Sequence, residues 1–293
     1  MTLEQLRIFV AVAERQHLTQ AADALALTPS AVSASIRALE ERYGTLLFDR
    51  VGRRIETNAA GRIFLDEARA TLARAAGAER ALAELAGLER GALALQASQT
   101  IASYWLPPLL VRFREAYPRI DVRLDVGNTR SVAAAVHEGA ADLGLIEGAV
   151  EDPALAIEEV GQDSMAVVVA PGHPWARKRR LAAAELQAAQ WIMREPGSGT
   201  RSVFEAMLAA QGVDVARLQV ALTLPSNEAV RAAVMTGRFA AGLSELVAAP
   251  YIAAGLLAKA PLTLPPRGFF LLRHRERYRS KAAQAFEGLL RGK

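Results

Sequence analysis

The sequence contains no cysteine, which excludes disulfide frameworks, thiolate zinc sites and cysteine nucleophiles together. Histidine is scarce as well. His17, His137, His173 and His274 are the four present, and none stands at a paired ligand spacing from another. Each reads as a surface or capping residue, so no metal site is expected. No basic start followed by an apolar core marks a leader, and no apolar run is long enough to span a bilayer. The expectation is a cytoplasmic protein with no membrane partner. Charged residues make up 23% of the chain and hydrophobic ones 52%, a balance that excludes disordered and fibrous classes.

At 293 residues the chain exceeds what one hydrophobic core usually serves, so two or three folding units are expected. The net charge of +4 is compatible with a nucleic-acid partner but does not demand one. Residues 1–90 carry twelve arginines against twelve aspartates and glutamates. Any contact with DNA must therefore come from local placement.

Thr2 followed by Gln5 is a capping-box pattern, and Leu3, Leu6, Phe9, Val10 and Ala13 recur at helical spacing up to about Arg15. Thr19 is a candidate cap for a second helix, Gln20 to Leu25, in which Ala21 and Ala22 leave room for a crossing helix. After a tight turn at Ala26 and Leu27, Thr28 is placed to cap a third helix. Pro29 sits at its first position, where a missing N–H costs nothing. Along that helix, Pro29 to Tyr43, Val32, Ile36 and Leu39 share one face while Ser30, Ser33, Ala34 and Arg37 share another. Short hydroxyls let a backbone approach base edges and phosphates, and arginine can reach guanine or a phosphate. An isolated polar face would be an ordinary solvated one; two short capped helices around a tight turn point instead to a helix-turn-helix. Leu46, Leu47 and Phe48 then anchor a turn carrying Arg50, Arg53 and Arg54 before Ile55 to Thr57, which reads as a wing gripping backbone or minor groove. The candidate DNA-contacting set is Thr28, Pro29, Ser30, Ser33, Ala34, Arg37, Arg50, Arg53 and Arg54.

From Asn58 to about Leu88 one long helix is expected, with Phe64, Ala68, Leu72, Ala75, Ala78, Leu82 and Leu85 forming a seam for a partner helix. Glu89, Arg90 and Gly91 read as a hinge. Beyond it strands and helices alternate, which argues an α/β sheet with crossover helices. Strands are expected at 92–97, 120–126 and 143–146, with helices at 101–116 and 131–138. Val160 to Val169 reads as a crossing into a second lobe with strands at 191–193, 219–224 and 240–243. Phe269 to Leu272 reads as the return, and Arg273 to Lys293 as a basic helix over the first lobe. The expected division is 1–58 winged helix-turn-helix, 59–90 linker helix and 91–293 ligand-sensing domain. Within the last, lobe one takes 91–161 and 267–293, and lobe two takes 162–266.

Ligands in open α/β sheets bind beyond the carboxyl ends of strands. Landing there are Ser98, Gln99 and Thr100; Asn128 and Thr129; Glu147; Arg194, Glu195, Gly197, Ser198, Gly199 and Thr200; and Ser226, Asn227 and Glu228. Such turns aim N–H groups and hydroxyls into a cleft, and helix N-termini add positive potential, so a small anion is the expected guest. Taken singly, Ser98, Thr100, Thr129, Ser198, Thr200 and Ser226 read better as helix caps; the convergence of five turns favours a site. The segment PGSGTR lacks the Lys-Ser/Thr ending of a Walker loop, and Arg201 lies inside the helix, so no nucleotide cofactor is expected.

LEQLRIFVAVAE, LTQAADALALTPSAVSASIRALEERYGTLLFDR and GRRIETNAAGR resemble the amino-terminal pattern of the LysR-type transcriptional regulators nearly position by position. The resemblance implies a winged helix-turn-helix that binds partly palindromic operators as a homodimer or homotetramer, with linker helices paired antiparallel. It also implies a sensing domain folded like a periplasmic solute-binding protein. Ala34 departs from the pattern, since many members carry Arg, Lys or Gln there. ASQTIASYWLPPLL, GNTRSV, DLGLIEG, WIMREPGSGTR and SNEAV resemble the subgroup around the sulfite-responsive regulators CysL and YeiE and, more distantly, the Calvin-cycle regulator CbbR. These imply a sulfite-like oxyanion or a phosphorylated metabolite as effector. Two other classes compete with this one. A solute-binding transport protein is opposed by the fused reading head. An enzyme using Glu147, Glu195 or Glu228 as base is opposed by the lack of a nucleophile pair, metal set or cofactor motif.

Overall fold

The computed structural model describes residues 1–51, 54–85 and 91–292. The chain falls into two compact units, Met1–Leu88 with His137–Ala140, and Glu89–Val136 with Ala141–Lys293.

The first unit opens with α1 (Leu3–Arg15), α2 (Leu18–Ala24) and α3 (Pro29–Tyr43). Both halves of the capping box form at Thr2 and Gln5. α2 starts earlier than expected and its cap is His17, whose Nδ1 accepts the Gln20 N–H at 3.4 Å. The reason lies one residue back: Gln16 turns the chain out of α1 at φ 51°, so His17 is already the extended residue and Thr19 falls inside the helix. α3 matches its expected bounds, with Thr28 Oγ1 accepting from the Ala31 N–H at 3.2 Å and Gly44 closing it in the left-handed conformation. Leu6, Phe9, Val12, Val32, Ile36 and Leu39 meet in one core, and Ala21 and Ala22 are buried where the helices cross.

β1 (Phe48–Val51) and β2 (Arg54–Thr57) form an antiparallel hairpin that tucks Phe48 against Phe9, ring centroids 5.3 Å apart. Gly52 and Arg53 lie outside the described residues, as does the Arg54 side chain. α4 (Ala59–Leu85) follows, its first turn held by Asn58 Oδ1 accepting the Gly61 N–H at 2.9 Å. Gly61 permits a close crossing, because a Cβ there would lie 2.0 Å from the Leu47 carbonyl oxygen. The expected end of this helix at Leu88 and the hinge residues Glu89 and Arg90 fall outside the described residues. Gly91, read as part of that hinge, instead pairs with Ile120 in a strand.

The second unit is built on β3 (Gly91–Ser98), α5 (Leu106–Ala116), β4 (Ile120–Gly127), α6 (Thr129–Glu138), β5 (Leu143–Glu147), β6 (Leu155–Val169), α7 (Ala183–Ala188), β7 (Gln190–Arg194), α8 (Gly199–Ala210), β8 (Gln219–Leu224), α9 (Asn227–Val234), β9 (Ala240–Ser244), α10 (Glu245–Ala253), β10 (Ala258–Lys259), β11 (Pro266–His274) and α11 (Lys281–Leu290). The strands run in the order β4-β3-β5-β11-β6-β9-β7-β8, with β10 on β6. β3 is parallel to β4 and β5, while β11 runs antiparallel to β5 and β6. β6 joins two lobes. It pairs with β11 as far as Ser164 and with β9 from Met165 onward.

Each lobe has its own apolar centre. Leu93, Leu95, Phe113, Leu145, Phe269 and Phe286 fill the first; Val167, Trp191, Met193, Phe204 and Leu208 fill part of the second. The helix expected at 101–116 is split. Ile101–Trp105 forms a π-turn in which the Leu106 N–H bonds the Ile101 carbonyl, and α5 proper begins where Pro107 and Pro108 need no donor. α11 starts later than expected, because Arg273 and His274 still pair with Ala156 and Leu155 in the sheet. Among the described residues no helix is long and apolar enough to cross a membrane.

Candidate functional site

In the first unit α3 divides as its sequence requires. Val32, Ile36 and Leu39 are buried, whereas Thr28, Pro29, Ser30, Ala34 and Arg37 are exposed and Ser33 is half-buried. Thr28 is partly committed, since its hydroxyl also meets Ser30 Oγ at 3.0 Å. Beside this face a groove of about 360 Å³ is lined by Ser33 and Arg37 from α3 and by Asp49 and Arg50 from β1. Exposed Arg50 thus joins Arg37 across the groove, and Glu40 is spent holding the Leu47 N–H at 2.8 Å. A convex polar helix face flanked by a hairpin arginine can enter a groove of duplex DNA and contact phosphates on either side.

The second unit gathers its candidates between the lobes, where each is buried or half-buried and none is exposed. Glu147, at the end of β5, is 2% exposed. Its carboxylate accepts from the Ser98 hydroxyl and, at 3.0 Å, from the Thr200 hydroxyl at the start of α8. Thr129 donates to the Glu147 carbonyl at 2.6 Å. The PGSG turn comes close enough to β5 that a Cβ on Gly199 would lie 1.9 Å from that carbonyl oxygen, while Gly197 takes φ +95°. Only glycine fits there.

Several hydrogen bonds tie lobe to lobe. Asn227 Nδ2 donates to Thr100 at 3.0 Å, and the Asn227 N–H donates to Gln99 Oε1 at 2.8 Å. Gln99 Nε2 in turn donates to Glu228, and Asn128 Nδ2 reaches Glu195 at 3.2 Å. Buried Arg194 spends its fork on Glu195, through Nε at 2.8 Å and Nη2 at 3.0 Å, and its Nη1 on Asn227 Oδ1 at 2.7 Å. Two candidates take the cap role instead: Ser198 accepts from the Arg201 N–H at 3.4 Å and Ser226 from the Ala229 N–H at 3.0 Å. Among the described residues no acidic or histidine cluster could hold a metal ion.

Three cleft residues escape the sequence reading. Arg267 is 4% exposed at the start of β11, where it donates through Nε and Nη2 to Asp163 Oδ2 at 2.9 and 2.7 Å and through Nη1 to Thr200 at 3.1 Å. Asp163 also accepts from Ser244 at 3.0 Å. Tyr104, in the π-turn, donates to Glu228 at 2.8 Å; burial and then the Glu228 carboxylate hold its phenol above the ordinary tyrosine range. For two of them the signal available was a charge just ahead of an apolar run, Asp163 before 165–169 and Arg267 before 269–272.

Residues 3–62 match the family described as bacterial regulatory helix-turn-helix protein, lysR family, and residues 86–293 match the LysR substrate binding domain. The chain is 36% identical over 288 residues to the uncharacterized HTH-type transcriptional regulator YeiE of Escherichia coli (strain K12), covering 98% of this chain and 96% of that one. Its fold is similar to full-length CbnR, solved in complex with its target DNA, at TM-score 0.69 and 22% identity over 100% of this chain and 99% of that one. The regulatory domain of CcmR from Synechocystis PCC6803, solved in complex with 2-PG, is similar at TM-score 0.63 and 26% identity, covering 69% of this chain and 97% of that one.

Proposed function

The chain belongs to the LysR family of bacterial transcriptional regulators, and on that premise we propose that α3 reads operator DNA while the interlobe cleft binds a small anion that adjusts the grip. The observation that carries the DNA assignment is the α3 face: Ser30, Ala34 and Arg37 lie open to solvent over a buried Val32, Ile36 and Leu39. Thr28, Pro29 and Ser33 complete the proposed contact face, and Arg50, Arg53 and Arg54 are the proposed wing contacts. Arginine on such a face contributes both a phosphate contact and guanine readout. Residues 1–58 then read, 59–90 pair copies and 91–293 sense. Exposed Ile63 and Leu82 on α4 support pairing of two chains, since both would otherwise stay in water.

For the effector we favour a sulfite-like oxyanion, with a phosphorylated metabolite as the second reading. Hydroxyls of Ser98, Thr100, Thr129 and Thr200 suit either. The similarity to the CcmR domain bound to 2-PG supports the second. Gln99, Asn128, Glu147, Arg194, Glu195, Gly197, Ser198, Gly199, Ser226, Asn227 and Glu228 complete the proposed cleft lining. Effector binding would favour one arrangement of the lobes and thereby alter operator affinity by linkage. A salt-dependent binding assay on DNA upstream of its own gene tests the first half; no preference over random duplex would overturn it. A thermal-shift screen against sulfite, sulfate, thiosulfate and sugar phosphates tests the second, and stabilisation by none would discard the anion.

A further inference from the structure

Two arginines are buried in the cleft, and the charges around them differ. Arg194 has each of its three guanidinium nitrogens bonded, to Glu195 and Asn227, and Glu195 is the carboxylate it pairs with. Arg267 has its three nitrogens bonded as well, but a second carboxylate, Glu147, stands beside it. Its Nε and Nη2 hold Asp163 Oδ2, and its Nη1 donates to the Thr200 hydroxyl at 3.1 Å with the Glu147 carboxylate 3.7 Å away. Around that carboxylate stand the Ser98 hydroxyl, the Thr200 hydroxyl and one guanidinium N–H. Two hydroxyls and a fixed cation are the donor set that an oxyanion requires. We propose that Arg267 is the cation that selects and holds the anionic effector, and that Glu147 is the resident carboxylate the anion displaces.

This deepens the anion reading given above and rests on it. The charge balance drives the exchange. Glu147, Asp163 and Arg267 are each at most 2% exposed at the side chain, so two carboxylates share one guanidinium. A second anion beside Glu147 would set three negative charges on one buried cation, which a dry site does not tolerate. The anion therefore enters as Glu147 yields its donors. Position makes the exchange consequential. Arg267 faces Asp163 in the β11–β6 ladder next to where β6 changes partner, and Glu147 pairs with Phe269 two residues further along β11. Releasing Glu147 breaks its bond from Thr200, which links the two lobes. Asp163 acts as a positioning residue, because its carboxylate and the Ser244 hydroxyl behind it fix the guanidinium plane.

The test uses the full chain, isothermal titration with sulfite, inorganic phosphate and 2-PG, and circular dichroism to check folding. The double variant Arg267→Gln/Asp163→Asn removes both charges of the pair at near-constant shape. It is expected to weaken anion binding by roughly ten- to a hundredfold, the value of a charged hydrogen bond. Glu147→Gln removes the rival carboxylate and is expected to tighten binding by about tenfold, a gain that misfolding cannot produce. A double variant that binds the anion as tightly as the wild type overturns the Arg267 assignment alone. A Glu147→Gln protein with unchanged or weaker binding overturns the displacement. If the wild type binds none of the three anions, the anion reading falls and takes this assignment with it.

Discussion

Serine, threonine and arginine serve opposite ends in the two units of this regulator. On α3 they face water: Ser30 and Arg37 are exposed, so they can meet a partner without first losing one another. In the cleft Ser98, Thr200, Arg194 and Arg267 are almost wholly buried and already bonded to Glu147, Glu195, Asn227 and Asp163. An exposed set supports a contact governed by salt and by bases; a buried, mutually satisfied set supports a sensor, because a ligand must rearrange it. The same residue types thus stand open where the core lies on one side of a helix, and are bonded to one another where two lobes enclose them.

The contrast breaks first at Asp163. Its replacement by alanine strands Arg267 without the carboxylate that accepts two of its N–H groups, and losses of about 3–5 kcal/mol are typical of a broken buried pair. Denaturant unfolding followed by tryptophan fluorescence should report this, since Trp105, Trp175 and Trp191 all lie in the second unit; an unchanged midpoint would deny the network a role in holding the lobes. Arg37→Ala should instead leave that transition in place and lower affinity for specific DNA by about 1–3 kcal/mol with a shallower salt dependence. Fluorescence anisotropy across a salt series checks it, and equal loss on random duplex would assign Arg37 to backbone contact alone. Thr28→Ala should cost α3 about 1 kcal/mol through its lost cap, visible as a lower melting temperature of the first unit.

The smallest effect expected is a pH dependence at His173, which is half-buried and accepts the Trp175 N–H on Nδ1 at 3.1 Å. Burial holds its pKa below the ordinary value of 6.5. Its contribution is therefore present above pH 6.5 and is lost as pH falls through the lowered folded value, when the unfolded chain binds the proton first. Melting curves at pH 7 and pH 5 for the wild type and His173→Ala check the sign. The wild type should lose more than the variant on acidification.

Helix existence was legible wherever a cap and an apolar stripe coincided, as in α1 and α3. Local signals failed at the joints. Thr19 looked like a cap because it precedes a helical run, yet the left-handed turn at Gln16 moves the cap to His17. The split at 101–106 was hidden because one wider turn over Ile101–Trp105 carries no glycine, proline or side-chain cap to mark it. The stripe on α4 read as one seam for a partner, but Phe64, Ala68 and Leu72 pack on the unit's own core while Leu82 stays exposed. In the cleft the strand-end turns were readable from composition. Arg267 and Asp163 were not, because their pairing is set by strand register across 104 residues, and a lone charge beside an apolar run carries no record of its partner.

The direct test of the whole account is the affinity of the purified protein for DNA upstream of its gene, measured at one fixed salt concentration with and without a saturating anion shown by calorimetry to bind. Coupling between the cleft and α3 predicts a change of about 5- to 150-fold, with the same factor recovered when anion affinity is measured with DNA present and absent. Identical DNA affinities, with the anion bound, would contradict it.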